Sequence, residues 1–201
     1  YTGNTIQQLD LPLVNNSHVL CFFKSGKNEF YIGLNNSEEG ILVLKKNKGK
    51  FQLKNQIKTL GGNTFSTGSG FAELPGGEIA VSTFGNGVWK LNADGSQTEI
   101  TADPIFQNKD VLTMFLDSKN NLWISLNQLG IIKYDLKTFK NYTTKEGLGD
   151  NSVYSICEDK AGNIVFGNYE NGITIFDGKK FKTLNKSDNL CSNNIQSVTC
   201  D

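Results

Sequence analysis

Hydrophobic residues in this chain come in short bursts, divided by turns rich in glycine, asparagine and aspartate. Val153-Tyr154-Ser155-Ile156-Cys157-Glu158 is a short β-rich run that ends in the turn Asp159-Lys160-Ala161-Gly162-Asn163. Ile164-Val165-Phe166-Gly167 is almost continuously apolar, as a strand covered on both faces should be. Asn171-Gly172 turns the chain into Ile173-Thr174-Ile175-Phe176, which alternates. Asp177-Gly178, a strong hairpin dipeptide, then leads to Lys180-Phe181-Lys182-Thr183-Leu184. The pattern predicts four strands joined by three hairpins. No stretch supports a helix, and Thr101 to Asp110 holds one turn at most.

The same quartet recurs. Val111, Asn121, Gly130, Tyr134-Asp135, Phe139 and Leu148 match Val153, Asn163, Gly172, Phe176-Asp177, Phe181 and Leu190, each 42 positions apart. Ile195, Val198 and Asp201 continue the series one unit beyond Val153, Ile156 and Asp159. Upstream, Ile79, Val81, Ser82, Gly87 and Leu91 match Leu122, Ile124, Ser125, Gly130 and Tyr134. A looser copy holds Phe30, Ile32, Gly33, Gly40, Ile41 and Leu44, and Tyr1 and Ile6 match Tyr134 and Phe139. A four-stranded unit of about 42 residues lies in the size range of propeller blades.

The expected fold is therefore all-β: four-stranded antiparallel β-propeller blades, forming a segment of a larger propeller. The expected division is 1–15 as the end of a preceding blade and 16–60, 61–107, 108–149 and 150–191 as blades. Residues 192–201 are then the first strand of a further one. A β-sandwich would not need so constant an offset. A single blade has two apolar faces and buries them only against neighbours. An open arc would leave two such faces bare, so the chain is expected to associate with further blades or a second copy. The alternative is that Tyr1-to-Leu9 and Ile195-to-Asp201 share one incomplete blade and close a small ring. Lys180, Lys182 and Lys186 mark the fourth strand as a charged outer edge.

Asn151-Ser152-Val153-Tyr154-Ser155-Ile156-Cys157-Glu158-Asp159-Lys160-Ala161-Gly162-Asn163-Ile164-Val165-Phe166-Gly167 resembles the two-component regulator propeller repeat, as does Asn120-Asn121-Leu122-Trp123-Ile124-Ser125. Gly147-Leu148 fits the punctuation of that family. Ser125 and Ser82 stand where it has Gly, Val165 and Ala80 where it has Trp, and Phe71 to Glu78 matches poorly. The resemblance implies a larger propeller of the seven-bladed type and a sensor, the extracytoplasmic input region of a bacterial membrane-anchored histidine kinase or hybrid regulator, on the periplasmic or extracellular face. In several such proteins the signal is an oligosaccharide, and similar propellers occur in cell-surface and secretion-associated proteins.

Charge and composition narrow the function. Lys+Arg and Asp+Glu balance at 20 each, so the basic excess of a nucleic-acid binder is missing. No apolar run reaches the roughly 18 to 20 residues needed to span a bilayer. Tyr1 to Gln8 lacks the regions of a signal peptide. A soluble mature segment or an excised part is expected, with any export signal or anchor outside it. The cysteines are Cys21, Cys157, Cys191 and Cys200, and His18 is the one histidine. A zinc site is not expected, nor any metal or cofactor. Core or isolated thiols are favoured, with a Cys191–Cys200 disulfide left open by spacing alone.

Catalysis is not expected of this segment, because its carboxylates share no motif and one histidine builds no common constellation. A propeller lyase or glycoside hydrolase is the rival reading, and a structural or protein-docking propeller the third. The turns Asp117-Ser118-Lys119-Asn120-Asn121 and Asp159-Lys160-Ala161-Gly162-Asn163 resemble a calcium loop but lack its ligand series, and read as structural turns. Trp89, Trp123 and Phe166 fall on strands and are read as blade-to-blade core. Candidate ligand contacts lie on the loops after each second strand: Asn35 and Glu38; Phe84 and Asn86; Asn127 and Gln128; Tyr169, Glu170 and Asn171. Polar and aromatic loops on a rigid scaffold suit an oligosaccharide or another small polar ligand.

Overall fold

A computed structural model of the chain describes residues 17–35, 39–101, 106 and 109–201. Among these, four four-stranded antiparallel sheets occur one after another. Blade 1 comprises β1 (Val19–Lys24), β2 (Glu29–Leu34), β3 (Ile41–Asn47) and β4 (Lys50–Ile57). A small hairpin, β5 (Thr59–Leu60) and β6 (Asn63–Thr64), leads to blade 2. That blade holds β7 (Ser66–Glu73), β8 (Ile79–Phe84), β9 (Val88–Leu91) and β10 (Gln97–Glu99). Blade 3 is β11 (Val111–Leu116), β12 (Leu122–Leu126), β13 (Gly130–Tyr134) and β14 (Phe139–Tyr142). Blade 4 is β15 (Val153–Glu158), β16 (Ile164–Asn168), β17 (Ile173–Phe176) and β18 (Phe181–Leu184). Each sheet keeps chain order, and the first strands are neighbours: β1 lies by β7, β7 by β11 and β11 by β15. The fourth strands form the outer edge.

The core lies between blades. Every residue of β12 is buried, because successive side chains in a strand point to opposite faces and both faces are covered. Leu122, Ile124 and Leu126 pack with Ala80 and Val88 of blade 2. Trp123 packs the other way, with Phe166 and Phe176 of blade 4. Tyr31, Val43, Phe71, Val81 and Trp89 fill the equivalent space between blades 1 and 2. Full burial of one such side chain contributes about 1.5–3 kcal/mol. Trp89, Trp123 and Phe166 are thus core residues. The Trp123 indole also donates to the buried Asp117 carboxylate at 2.8 Å and stacks on Tyr142.

The recurring aspartates hold turns. Asp117 Oδ1 accepts from the N–H of Lys119 and Asn121, and Asp159 Oδ1 from those of Ala161 and Asn163. On the same edge a glutamate at the end of one first strand ties blades together. Glu73 accepts from the Gly26 N–H of blade 1, and Glu158 from the Ser118 N–H and hydroxyl of blade 3.

Three expectations need correction. The reading that no stretch is helical misses 3-10 turns, among them Thr144–Glu146 and Lys186–Asp188, each closed by a capping box (Thr143 with Glu146, Asn185 with Asp188). Their side chains satisfy N–H groups that a single turn leaves free. Residues 192–201, expected as a strand, form no ladder, yet they keep to the repeat. Gly172 N–H donates to Asn193 O at 2.7 Å as Gly130 N–H does to Asn151 O at 2.8 Å. Lys186 N–H meets Asn193 Oδ1 as Thr144 N–H meets Asn151 Oδ1. The cysteines, favoured as separate thiols, include a disulfide, Cys157–Cys200, with Cα atoms 5.9 Å apart. Cys191 is exposed and outside it. The bridge spans 43 residues, close to one repeat, because the start of each unit runs beside the first strand of the unit before. Residues 1–15, expected as the end of a blade, and most of Thr101 to Asp110 lie outside the described residues.

Closing a loop of that length stabilises by about 4 kcal/mol in the chain-entropy model. Cys200→Ser is expected to lower stability by up to that amount. Hydrogen exchange should then rise across 192–201 while blades 1 to 3 keep their protection.

Acid should loosen the turns. The Asp159 carboxyl is held below its ordinary range by hydrogen bonds from the Asn163 side chain and backbone, and Asp177 by the N–H groups of Lys180 and Lys179. A depressed folded pKa gives stability that is present above the unfolded value, near 3.9, and lost as pH falls through the folded value. Urea midpoints should therefore fall below about pH 4, and fall less in Asp159→Asn, whose pH 7 midpoint starts lower.

Candidate functional site

In each blade the second strand ends beside the start of the first. Leu34 faces Val19, Leu126 faces Val111 and Asn168 faces Val153. The next residue is Asn35, Asn127 or Tyr169. Its N–H donates to the carbonyl of His18, Asp110 or Ser152 at 3.1, 3.0 and 3.0 Å. Phe84 holds this place in blade 2, paired with Ser66. The backbone is thus pinned while all four side chains are exposed. One propeller face carries an amide, a phenyl, an amide and a phenol at equivalent positions of successive blades.

The rest of each loop is held with equal care. Gly130 and Gly172 have φ of 91° and 72°, where L-residues are strained. A Cβ there would lie 2.2 Å from Tyr142 O and 2.1 Å from Leu184 O, so close approach of the outer strand also demands glycine. Gln128 N–H donates to Ser152 Oγ, and Tyr169 N–H to Ser152 O, so one serine joins the loops of blades 3 and 4. Glu170 N–H donates to Asp150 Oδ2, and Asn171 Nδ2 to Gly149 O. Tyr169, Glu170 and Asn171 are therefore brought together against the 149–152 connection. Asn127 and Gln128 border them from blade 3. A cavity of about 430 Å³ on this face is lined by Gln128, Leu129, Thr143, Lys145, Glu146 and Asn151. Hydrogen bonds from the Thr143 hydroxyl and N–H keep the Glu146 carboxyl below its usual range, so it stays ionised there.

The other candidates are more committed to structure. Asn35 Oδ1 accepts from His18 N–H at 2.9 Å. Asn86 uses its carbonyl to accept from the Trp89 indole at 2.6 Å, and its Nδ2 is buried without a partner among the described residues. Glu38 lies outside the described residues.

Tyr154 was not among the sequence candidates, although its ring centroid lies 5.4 Å from that of the exposed Tyr169. The pairing of β15 shifts register between Val153 and Ser155, which leaves Tyr154 as an extra residue. The same shift frees Leu112 in β11 and Leu20 in β1. A bulge re-aims its side chain out of the ladder. Within Val-Tyr-Ser-Ile that position looks like any other alternating strand residue, so only its recurrence beside a strand start signals the bulge.

The site offers aromatic faces and amide groups, which suit recognition of a hydroxyl-rich molecule. Among the described residues no group of three or more His, Cys, Asp or Glu gathers to hold a metal. Gly172→Ala is expected to lower stability by more than about 1 kcal/mol in urea unfolding, because it meets both the positive φ and the Leu184 carbonyl.

Similarity to known proteins centres on the repeat. Residues 147–170 match the family model of the two component regulator propeller. The extracellular domain of a hybrid two component system from B. thetaiotaomicron superposes with a TM-score of 0.75 at 21% identity, covering 92% of this chain and 25% of that one. The extracellular domain of a one component system from the same organism gives 0.72 at 18% identity, covering 97% and 26%. A virginiamycin B lyase from Staphylococcus aureus gives 0.64 at 19%, covering 85% and 57%. The chain thus spans about a quarter of the length of the two extracellular domains. No curated protein matches its sequence. No helix among the described residues is long and apolar enough to cross a membrane. Residues 147–170 thus match the two component regulator propeller repeat, in a chain whose blades have the β-propeller fold.

Proposed function

We propose that this chain is a non-catalytic ligand-binding part of an extracytoplasmic two-component sensor, and that the face carrying the loops after each second strand takes a hydroxyl-rich ligand such as a glycan fragment. The observation that carries this reading is the exposed Tyr169 ring against Tyr154, with Phe84, Asn127 and Asn35 at equivalent positions of the other blades. Sugars present C–H faces to aromatic rings and hydroxyls to amides, and a pinned backbone limits the ordering cost of binding. The family match and the two extracellular domains of two- and one-component systems, which share the fold, support the sensor class. The Cys157–Cys200 disulfide suits an oxidising compartment such as the periplasm or cell surface. A histidine kinase and a membrane anchor then belong to further segments of the signalling protein.

Thermal-shift screening of the chain against neutral and acidic oligosaccharides tests this directly, since a ligand that binds only the folded state raises its stability. A fragment that raises the midpoint should do so less in Tyr169→Ala and in Phe84→Ala. Turnover of a fragment by the chain would overturn the sensing reading in favour of the lyase or hydrolase one. A shift left intact by both variants would move the ligand off this face.

A further inference from the structure

One departure from the repeat lies between the outer halves of blades 1 and 2. There β4 pairs with β3 through a register shift, Leu53 opposite Leu44 and Asn55 opposite Val43, so Lys54 is an extra residue. Its ammonium turns back to the buried Glu29, 2.5 Å from Oε1, while the Tyr31 hydroxyl donates to Oε2. In blade 2 the facing outer strand, β10, has only three residues. The two edges therefore stand apart and enclose a groove of about 620 Å³, within the roughly 300–1,000 Å³ of small-molecule clefts.

The groove is bounded by side chains that cross from blade to blade. Gln97 of blade 2 accepts from Gly61 N–H at 3.0 Å and donates to Thr59 O at 2.9 Å. Lys27 of blade 1 donates to Gly77 O at 3.2 Å. Ile57 and Leu91 supply apolar wall. The charges are unequal in availability. Glu29 is engaged by Lys54 and Tyr31, and Asp94 accepts from the N–H and hydroxyl of Ser96 in its own turn. Lys58 is exposed, and Lys27 has one described bond for three N–H groups. What remains for a ligand is a cationic lip over a polar and aliphatic floor.

We propose that this inter-blade groove is a second binding site, for a small hydroxyl-rich carboxylate such as a short uronic-acid saccharide, with Lys27 and Lys58 meeting the carboxylate. Lys54 pairs with Glu29, and although the Ser96 hydrogen bonds keep Asp94 ionised, Lys27, Lys54 and Lys58 outnumber the Glu29 and Asp94 carboxylates around the groove. The site lies apart from the loop face, and its occupancy does not depend on the sensing role proposed above.

Calorimetric titration of the chain with trigalacturonate at low salt is the test, with maltotriose as the neutral control. Saturable binding is expected for the acid, weakened tenfold or more by Lys58→Glu and by Lys27→Met, and unchanged in Phe84→Ala and Tyr169→Ala. Lys58 is exposed, so Lys58→Glu should keep its thermal midpoint, and Lys27→Met gives an independent reading without charge reversal. No saturable binding of trigalacturonate, or binding indifferent to both lysine variants, overturns the proposal. Binding lost only in the loop variants overturns it while favouring the loop face, and equal binding of maltotriose overturns the acidic class.

Discussion

The second strand of each blade has apolar side chains on both faces, so no single sheet can bury it. That requirement forces blade onto blade, and the rest of the architecture depends on it. Leu122, Ile124 and Leu126 look one way and Trp123 the other, which makes β12 the centre of two cores at once. A strand so placed can tolerate little change of register, since a one-residue slip would exchange the two faces. The constant spacing of the units is the trace of that constraint. Once the sheets are stacked, first strands line the inside and charged fourth strands end at solvent.

Rigid stacking gives the loops their opportunity. The N–H bonds from Asn35, Asn127 and Tyr169 to the start of their own blades are the same bond made three times. They fix the backbone whatever the side chain is. An amide, a phenyl or a phenol can therefore stand at that position without disturbing the core, and exposed loop positions on a fixed frame are where recognition can vary. The glycines at 130 and 172 belong to the frame, not to the variation, because the outer-strand carbonyl leaves no room for a Cβ.

Much of this is legible in the chain. The 42-residue offset and the alternation within Ile173-Thr174-Ile175-Phe176 read directly as blades, and the aspartate turns read as structural from their place in the unit. The cross-blade features are harder. Cys157 and Cys200 are near-equivalent positions of successive units, and their pairing shows only when one first strand is laid beside the next. Tyr154 is hidden because a bulge leaves no mark in a pattern of hydrophobic and polar residues. The capping boxes at Thr143–Glu146 and Asn185–Asp188 have a known spacing, but a three-residue turn has no helical period to draw attention to it. Lys54 facing Glu29 depends on a second bulge and on partners 25 residues apart.

Places where a repeat departs from itself bear closer reading than places where it conforms, because the shared unit already accounts for stability. Between blades 3 and 4 the space is filled by Trp123, Tyr142, Phe166, Phe176 and Phe181. Between the outer halves of blades 1 and 2 it contains a buried carboxylate, a bulged lysine and an open cleft. Glu29 is buried, but its partner Lys54 reaches it from the surface with half its side chain exposed, and a pair so placed stabilises less than the aliphatic side chains that could fill the same space. That pair, next to a three-residue outer strand that leaves room for a ligand, fits the proposed groove better than packing alone.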